Sequence, residues 1–268
     1  MNIKHTSLAF LLSLPALSGF SQNAPQNISQ NAPQEGVPQE EISWRSFDFK
    51  IKAGINIGGT APMGIPAPIR KINTFNPLVS LSIEVSSVWW FDARWGLSSG
   101  VRLENKGMTA VAQVKEYPIR LRTEDGELQG LFSGEVKTEV KNGYLNIPLA
   151  LHYRILPPLN VRIGGYYSLL IDPSFTGSVC DGYLRNGHPG FESNMNIERE
   201  NPRDYEFSDD MNKHDFGLVG GVEWNAYRHL VVSFDLAWGL RSVFAKGFTG
   251  VSFPMYNIYA NVAFGYRF

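Results

Sequence analysis

Cysteine is almost absent: Cys180 is the only one in 268 residues. An internal disulfide framework and any cysteine-rich metal site are therefore excluded, and the thiol reads as an incidental loop residue. Charge of one sign is also missing, since the formal net charge is −1 and both signs are spread along the chain. There is no basic face to hold nucleic acid and no acidic tail. Histidine is scarce at five residues, and no apolar run reaches the 20 or so residues that a membrane-crossing helix needs. A mean hydropathy of −0.16 is too polar for a helical membrane protein. What the chain does have is 13% aromatic residues, 43% hydrophobic residues and 26 glycines, a mixture that suits a barrel with an apolar outside and a polar inside.

The N-terminus reads as an address. Lys4 and His5 precede an apolar stretch from Thr6 to Phe20, interrupted by Pro15, and Gly19-Phe20-Ser21 offers small residues where a signal peptidase cuts. Residues 1–21 are expected to be a signal peptide cleaved after Ser21. Residues 22–44 are rich in Gln, Asn and Pro, with QNAPQ at Gln22 to Gln26 and again at Gln30 to Gln34. That composition cannot bury a core and reads as a flexible periplasmic linker. The folded domain is expected to span residues 45–268.

Within that domain apolar and polar residues alternate in segments of about ten, the length of a tilted strand crossing a bilayer. Phe47 to Ile57 sets Phe47, Phe49, Ile51, Ile55 and Ile57 against Asp48, Lys50, Lys52 and Asn56. Similar segments follow near Pro77 to Trp89, Trp95 to Leu103, Leu145 to Ile155, Val161 to Ile171, Phe216 to Ala226, Leu230 to Leu240 and Tyr256 to Phe268. Eight such strands predict an all-β fold, a closed antiparallel up-and-down transmembrane barrel. Short links at Phe91 to Arg94, Pro157 to Asn160 and Tyr227 to His229 alternate with long ones near Gly58 to Asn76, Gly107 to Asn142, Asp172 to His214 and Ala245 to Pro254. This is the alternation of periplasmic turns and outer loops in an outer-membrane barrel of a Gram-negative cell.

Strand eight must then pair with strand one, because lipid leaves no free edge satisfied. Eight strands leave an interior that side chains can fill. The inward positions combine glycines with Arg102, Arg154, Arg162 and Arg267, which are expected to pair with Glu84, Glu104, Glu223 and Asp235 in a network that also takes in Lys50 and Lys52. Two aromatic girdles are expected: Trp89, Trp90, Phe91, Trp95, Tyr153, Trp224, Tyr227, Tyr266 and Phe268 at the periplasmic side, and Phe75, Tyr144, Phe175, Phe216, Phe244 and Tyr256 at the outer side. Pro148, inside a strand, removes one ladder donor and predicts a bulge or local irregularity.

The segment Tyr144 to Tyr153, YLNIPLALHY, resembles the most recognisable strand of the outer-membrane barrels common in Bacteroidetes, the PorT-like group related in shape to OmpA-type barrels. Asn146 and His152 stand where that family more often carries an acidic residue and a lysine. The terminal Phe268, after Gly265, Tyr266 and Arg267, is similar to the last aromatic that barrel-assembly machinery reads. The resemblance implies an outer-membrane barrel and, through PorT, a link to protein secretion.

Candidate chemistry is sparse. His214, Asp215, Ser174 and Asp209 form the only Ser, His and acid grouping near one rim, and it would serve a lipid-modifying hydrolase. His152 reads as a satisfied interior residue. Glu198, Glu200, Asp204, Glu206, Asp209 and Asp210 crowd the third outer link but lack the spacing of a calcium loop. No cofactor or metal motif is present. The second outer link, through Tyr117, Ile119, Leu121 and then Leu128, Leu131, Phe132, Val136 and Val140, has enough alternation to extend a hairpin above the membrane and touch a partner protein. The leading expectation is a non-enzymatic outer-membrane barrel, embedded in lipid, with a structural, adhesive or secretion-associated role through its outer loops. The alternatives are the hydrolase and a soluble lipocalin-like barrel, which would turn the charged face outward and the apolar face inward.

Overall fold

The computed structural model describes residues 46–123, 126–185, 194–245, 247–248, 250–251 and 253–268; side chains of residues 121–128 and 194 are left aside. The expected signal peptide and linker lie outside the described residues. The strands are β1 (Ser46–Pro62), β2 (Ile69–Leu78), β3 (Ser80–Trp90), β4 (Trp95–Thr123), β5 (Gly126–Leu156), β6 (Leu159–Asp172), β7 (Phe175–Arg185), β8 (Asn194–Ile197), β9 (Arg203–Glu206), β10 (His214–Asn225), β11 (Leu230–Gly239) and β12 (Met255–Arg267). Eight of them close a ring in the order β1, β3, β4, β5, β6, β10, β11, β12 and back to β1, every pair antiparallel. The eight expected strands are these eight.

The period-two pattern dictates which face each residue takes. Phe49, Ile83, Leu103, Ile163, Leu218 and Phe264 stand exposed on the outside, while Lys50, Glu84, Arg102, Arg162, Glu223 and Asp235 are buried inside. The outside-in polarity is the reverse of what a soluble lipocalin-like barrel requires. Inward glycines let neighbouring strands coil tightly: a β-carbon on Gly54 or Gly164 would collide with the backbone of β12 or β5.

Two strands far exceed a bilayer crossing of about 9–11 residues. β4 has 29 residues and β5 has 31, and their ladder runs without interruption of register from Trp95↔Tyr153 to Val114↔Gly134 and on, past one bulge, to Thr123↔Gly126. The stretch Gly107 to Asn142, expected as a long loop with a hairpin extension, is strand over nearly its whole length. β2 adds to the upper part of β4, β7 to the upper part of β5, and β8 and β9 to β7. Together they form a β-structured head above the ring. Its bulges carry the two non-glycine residues with left-handed backbone among the described residues, Glu116 and Asp181, both at φ 53°. The bulge at Glu116 moves the inward face of β4 from even positions, ending at Val114, to odd ones, Tyr117 and Ile119.

Of the two outcomes expected at Pro148, the structure shows the local irregularity and no bulge: Ser99↔Leu149 and Arg102↔Asn146 share one register on the β4 side with the pairs between them unformed, and Pro148 pairs Tyr166 on the other side. The structure corrects two girdle readings. Trp90 is not in the periplasmic girdle, because it points inward and is only 3% exposed. Tyr144, Phe175 and Phe244 are likewise buried rather than at the outer lipid surface, where Phe216 and Phe75 remain exposed.

Ring closure has a direct test. In a Cys180→Ser background, cysteines replacing Ala53 and Phe264, which face each other across β1 and β12, should oxidise to an intramolecular disulfide, since directly opposed positions bring β-carbons within about 5.5 Å. Absence of the cross-link in protein extracted from membranes, with a Leu218→Cys and Trp238→Cys pair cross-linking normally, would mean the ring is open at that seam.

Candidate functional site

Inside the ring the charges interlock. Arg102 is the first hub: its Nε donates to Glu84 Oε2 at 2.6 Å, Nη2 reaches Asp235 at 3.0 Å, and Nη1 lies 3.8 Å from Glu104. Asp235 is the second, receiving Arg162 Nε at 2.6 Å as well as Arg102. Lys52 lies 2.6 Å from Glu84, and Lys50 pairs with Glu223. These groups come from β1, β3, β4, β6, β10 and β11, so the network ties opposite walls together. Each of the seven residues Lys50, Lys52, Glu84, Arg102, Arg162, Glu223 and Asp235 is at most 7% exposed, which a water-filled channel would not allow. The expected network is present, but Arg154 and Arg267 are not in it. Arg154 stacks on Trp90 at 4.1 Å and donates to the Ala93 carbonyl, while Arg267 donates to the Arg228 carbonyl, both at the periplasmic mouth where partners are backbone rather than carboxylate.

Both ends of this lumen are capped. Below, Trp90 donates Nε1–H to Asp48 at 2.8 Å and sets its face against Arg154, with the His152 ring edge-on at 6.1 Å. His152 is fully buried and shares a hydrogen bond of 2.9 Å with Ser98. Above, the Lys106 ammonium lies 3.1 Å from Glu104 and 4.9, 5.2 and 5.7 Å from the rings of Tyr144, Tyr166 and Tyr259. A buried ammonium gains from several π faces at once. Asn257 and Asp215 complete this layer: Asn257 Nδ2 donates to Asp215 at 3.0 Å and to Tyr144 at 3.2 Å.

At the next inward position of β4 the same face becomes apolar. Arg102, Glu104 and Lys106 give way to Met108, Ala110, Ala112 and Val114 with no change of parity, and on β5 Asn146 and Asn142 give way to Val140 and Val136. The head has its own hydrophobic core, centred on Val140, Phe132, Val179, Leu184, Phe175 and Phe207. Phe244 and Phe248 join it by stacking at 4.5 Å. Above the lumen cap, at the edge of this core and partly open to the outside, lies a chamber of about 120 Å³ walled by β1, β2, β4, β5, β7 and β12.

The sequence-derived catalytic grouping is not assembled. His214 and Asp215 are consecutive in β10 and so face opposite sides: His214 is exposed and its Nδ1 meets the Tyr167 hydroxyl at 2.6 Å, while Asp215 is buried in the lumen cap. The backbone of Ser174 is held by Asn142 Oδ1, and Asp209 sits in the short 3-10 turn Ser208–Asp210. The acidic residues of the third link are spread over the segment between β8 and β9, over β9 and over that turn, and among the described residues no cluster of three or more His, Cys, Asp or Glu could hold a metal ion. Cys180 lies in β7 rather than a loop, its Sγ 3.9 Å from Glu135. What sequence reasoning missed is the chamber and the Lys106 cage. The signal was the continued even-position pattern Met108, Ala110, Ala112, Val114.

Comparison with known proteins places the fold. The profile of the family described as outer membrane protein beta-barrel domain matches residues 20–245. No curated protein sequence matches the chain. Among solved structures the chain is similar to Ail, the attachment invasion locus protein of Yersinia pestis, in complex with the heparin analogue sucrose octasulfate, at 12% identity, covering 83% of this chain and 99% of that one with a TM-score of 0.36. It is similar to OprG from Pseudomonas aeruginosa at 13% identity, covering 84% and 97% with a TM-score of 0.35. Neisserial surface protein A follows at 10% identity, 82% and 95% coverage, and a TM-score of 0.33.

Two outcomes test this account. Asp235→Ala would leave Arg162 with Glu84 alone at 4.0 Å and Arg102 with only Glu84 and Glu104, and should cost about 3–5 kcal/mol, whereas Glu139→Ala, breaking a surface pair with Lys141, should cost under about 1 kcal/mol. Urea unfolding from lipid vesicles, followed by tryptophan fluorescence, measures both, and equal small losses would dissolve the hub. At Cys180, burial and then the Glu135 carboxylate hold the thiol above its ordinary pKa. The reactive thiolate is thus scarce at neutral pH, so alkylation should be slower than for a free thiol at pH 7 and should accelerate in Glu135→Gln.

Proposed function

A chain that belongs to the outer membrane protein beta-barrel domain family is an integral protein of the outer membrane, and we propose that this one is a non-enzymatic, non-conducting barrel that displays its outer head to a protein partner in a structural or adhesive role. One observation carries the reading: the lumen is packed with mutually paired charges, while the β4–β5 hairpin extends the wall well beyond the bilayer into a head with its own hydrophobic core. Short turns face the periplasm and long connections face outward in such barrels, so the head stands outside the cell. A filled lumen offers a solute no path. A rigid β platform, by contrast, presents fixed side chains and strand edges, and strand edges are a recurrent means of gripping another chain.

The hydrolase alternative gains no support from His214 and Asp215, whose side chains point to opposite faces of one strand. The secretion-associated role rests on the PorT-like strand Tyr144 to Tyr153 alone.

The test has two arms. In planar bilayers the purified protein should give no stepwise current. A barrel whose upper β4–β5 hairpin and β7–β9 segment are replaced by short turns should remain heat-modifiable on gels, yet cells displaying it should lose attachment to one another and to protein-coated surfaces relative to cells with the intact protein. Steady unitary currents, or attachment undiminished by trimming, would reject the reading.

A further inference from the structure

We propose that the chamber in the head is a binding site for a hydrocarbon group, reached sideways through a gap in the wall between β1 and β2 that the Phe75 ring closes. This inference is independent of the role proposed above. The ladder between β1 and β3 ends at Asn56↔Ser80. Beyond that point β1 continues to Pro62 paired with β12, and β2 is paired with β4. No β1–β2 pairing exists among the described residues. The wall is therefore split at this seam, just above its bilayer-spanning part.

Side chains stand in for the missing ladder. A β-carbon on Gly59 would lie 2.7 Å from the Phe75 ring and 3.0 Å from Met108 Sδ, so the ring lies directly against bare β1 backbone. The Thr60 N–H, left without a carbonyl on that side, donates to Met108 Sδ at 3.3 Å. Thioether sulfur is a weak acceptor. Such a closure is held by a rotatable ring and a weak bond, and it opens without breaking a strand pair.

Behind Phe75 the chamber is lined by Ala110, Ala112, Val114, Val136 and Met255. Its threonine hydroxyls are committed elsewhere, Thr60 to Asn257 at 2.8 Å and Thr138 to Tyr205 at 2.7 Å. A resident water needs two to four polar partners, and an engineered apolar cavity of roughly 150 Å³ stays dry and takes up benzene. The chamber, at about 120 Å³, has the size and lining for one small ring or the end of an alkyl chain, and nothing to hold a charge. The approach is apolar too: Ile57 on β1, Val79 between β2 and β3, and Leu81 in β3 are exposed on the outer face below the gap, and Ile72 and Phe75, though they line the chamber, are 49% and 47% exposed. The occupant is thus a hydrocarbon group, from a free small molecule or from the chain end of a membrane lipid.

Photolabelling of the membrane-extracted protein in phosphatidylcholine vesicles separates the two sources. One probe is a free aryl diazirine, the other a phosphatidylcholine with a diazirine at its acyl terminus, and adducts are mapped by mass spectrometry. Inward-facing Ala110, Ala112 and Val136 should be labelled by at least one probe. The aryl probe alone identifies a free hydrocarbon, the lipid probe a chain end. Ala112→Trp, which fills the chamber, should reduce these adducts to background while lipid-facing Leu81 stays labelled. Ala110→Leu serves if that variant loses heat-modifiability. Phe75→Ala should raise inward labelling severalfold. Adducts at Leu81 with none at the inward positions, or inward adducts indifferent to filling the chamber, would overturn the proposal.

Discussion

A wall with hydrocarbon on its outer side can leave no backbone N–H, carbonyl or charge without a partner, and the architecture of this protein follows from that constraint. Closure of β1 onto β12 removes the edge. Period-two alternation then sends the charged residues of the spanning segments to the inside, because the outside belongs to lipid, which tolerates only small hydroxyls such as Ser99. An eight-stranded ring is too narrow to hydrate those residues generously, so they satisfy one another. Lys50, Lys52, Glu84, Arg102, Arg162, Glu223 and Asp235 are not a decorated pore but the core of the membrane half.

The same constraint explains why the interior reverses character at Lys106. Where the outer face meets water, it can carry the polar residues, and the inner face returns to the ordinary rule of apolar burial. The strands do not turn or change parity to achieve this; only the side chains change. Lys106 stands at the junction, pairing downward with Glu104 and presenting its charge to three tyrosine rings. Amphipathic rings suit such a boundary, since each offers an apolar body to the head and a hydroxyl to the polar layer. Buried ion pairs of this kind contribute little net stability against apolar alternatives, yet are severe when broken. Their value here is that no apolar lumen could be distinguished from the lipid-facing side of the same strands.

Much of the membrane half was legible in the sequence because period two is a short-range signal: eight segments, their order, the alternating link lengths and the inward charges all came through. The errors share a cause. The place of Trp90 near a strand end suggests a girdle, although its parity, even like Ser86 and Val88, puts it inside. Tyr144, Phe175 and Phe244 mislead in the same way, because aromatics near the outer boundary read as interfacial and only the fold reveals a core above it. The length of the Gly107 to Asn142 segment suits a loop, and its alternation shows only part of the hairpin that forms. Which residues of distant strands meet, as Arg102 from β4 meets Asp235 from β11, is a matter of barrel register, and a single sequence carries no direct record of it. The candidate grouping around His214 does not assemble with Asp215 for the simplest reason: neighbours in a strand face opposite ways.

The seam between β1 and β2 fixes where the hydrocarbon stops. In lipid an unpaired strand edge costs several kcal/mol per orphan group, so a wall that splits can do so only where water or polar side chains are at hand. The split begins above Asn56, and there Asn56 Nδ2 reaches across to the Asn105 carbonyl at 2.9 Å while Thr60 N–H turns to Met108. Two bulges interrupt β2 against β4, between Ile69 and Lys71 and between Ile72 and Thr74. They leave Arg70, Lys71, Asn73 and Thr74 exposed, a run that no hydrocarbon layer would accept. The bilayer on this side must therefore end below β2, at the level of Val79, and the gap opens at the headgroup boundary, the one depth at which an apolar chamber can be reached from lipid without exposing an unsatisfied edge to it.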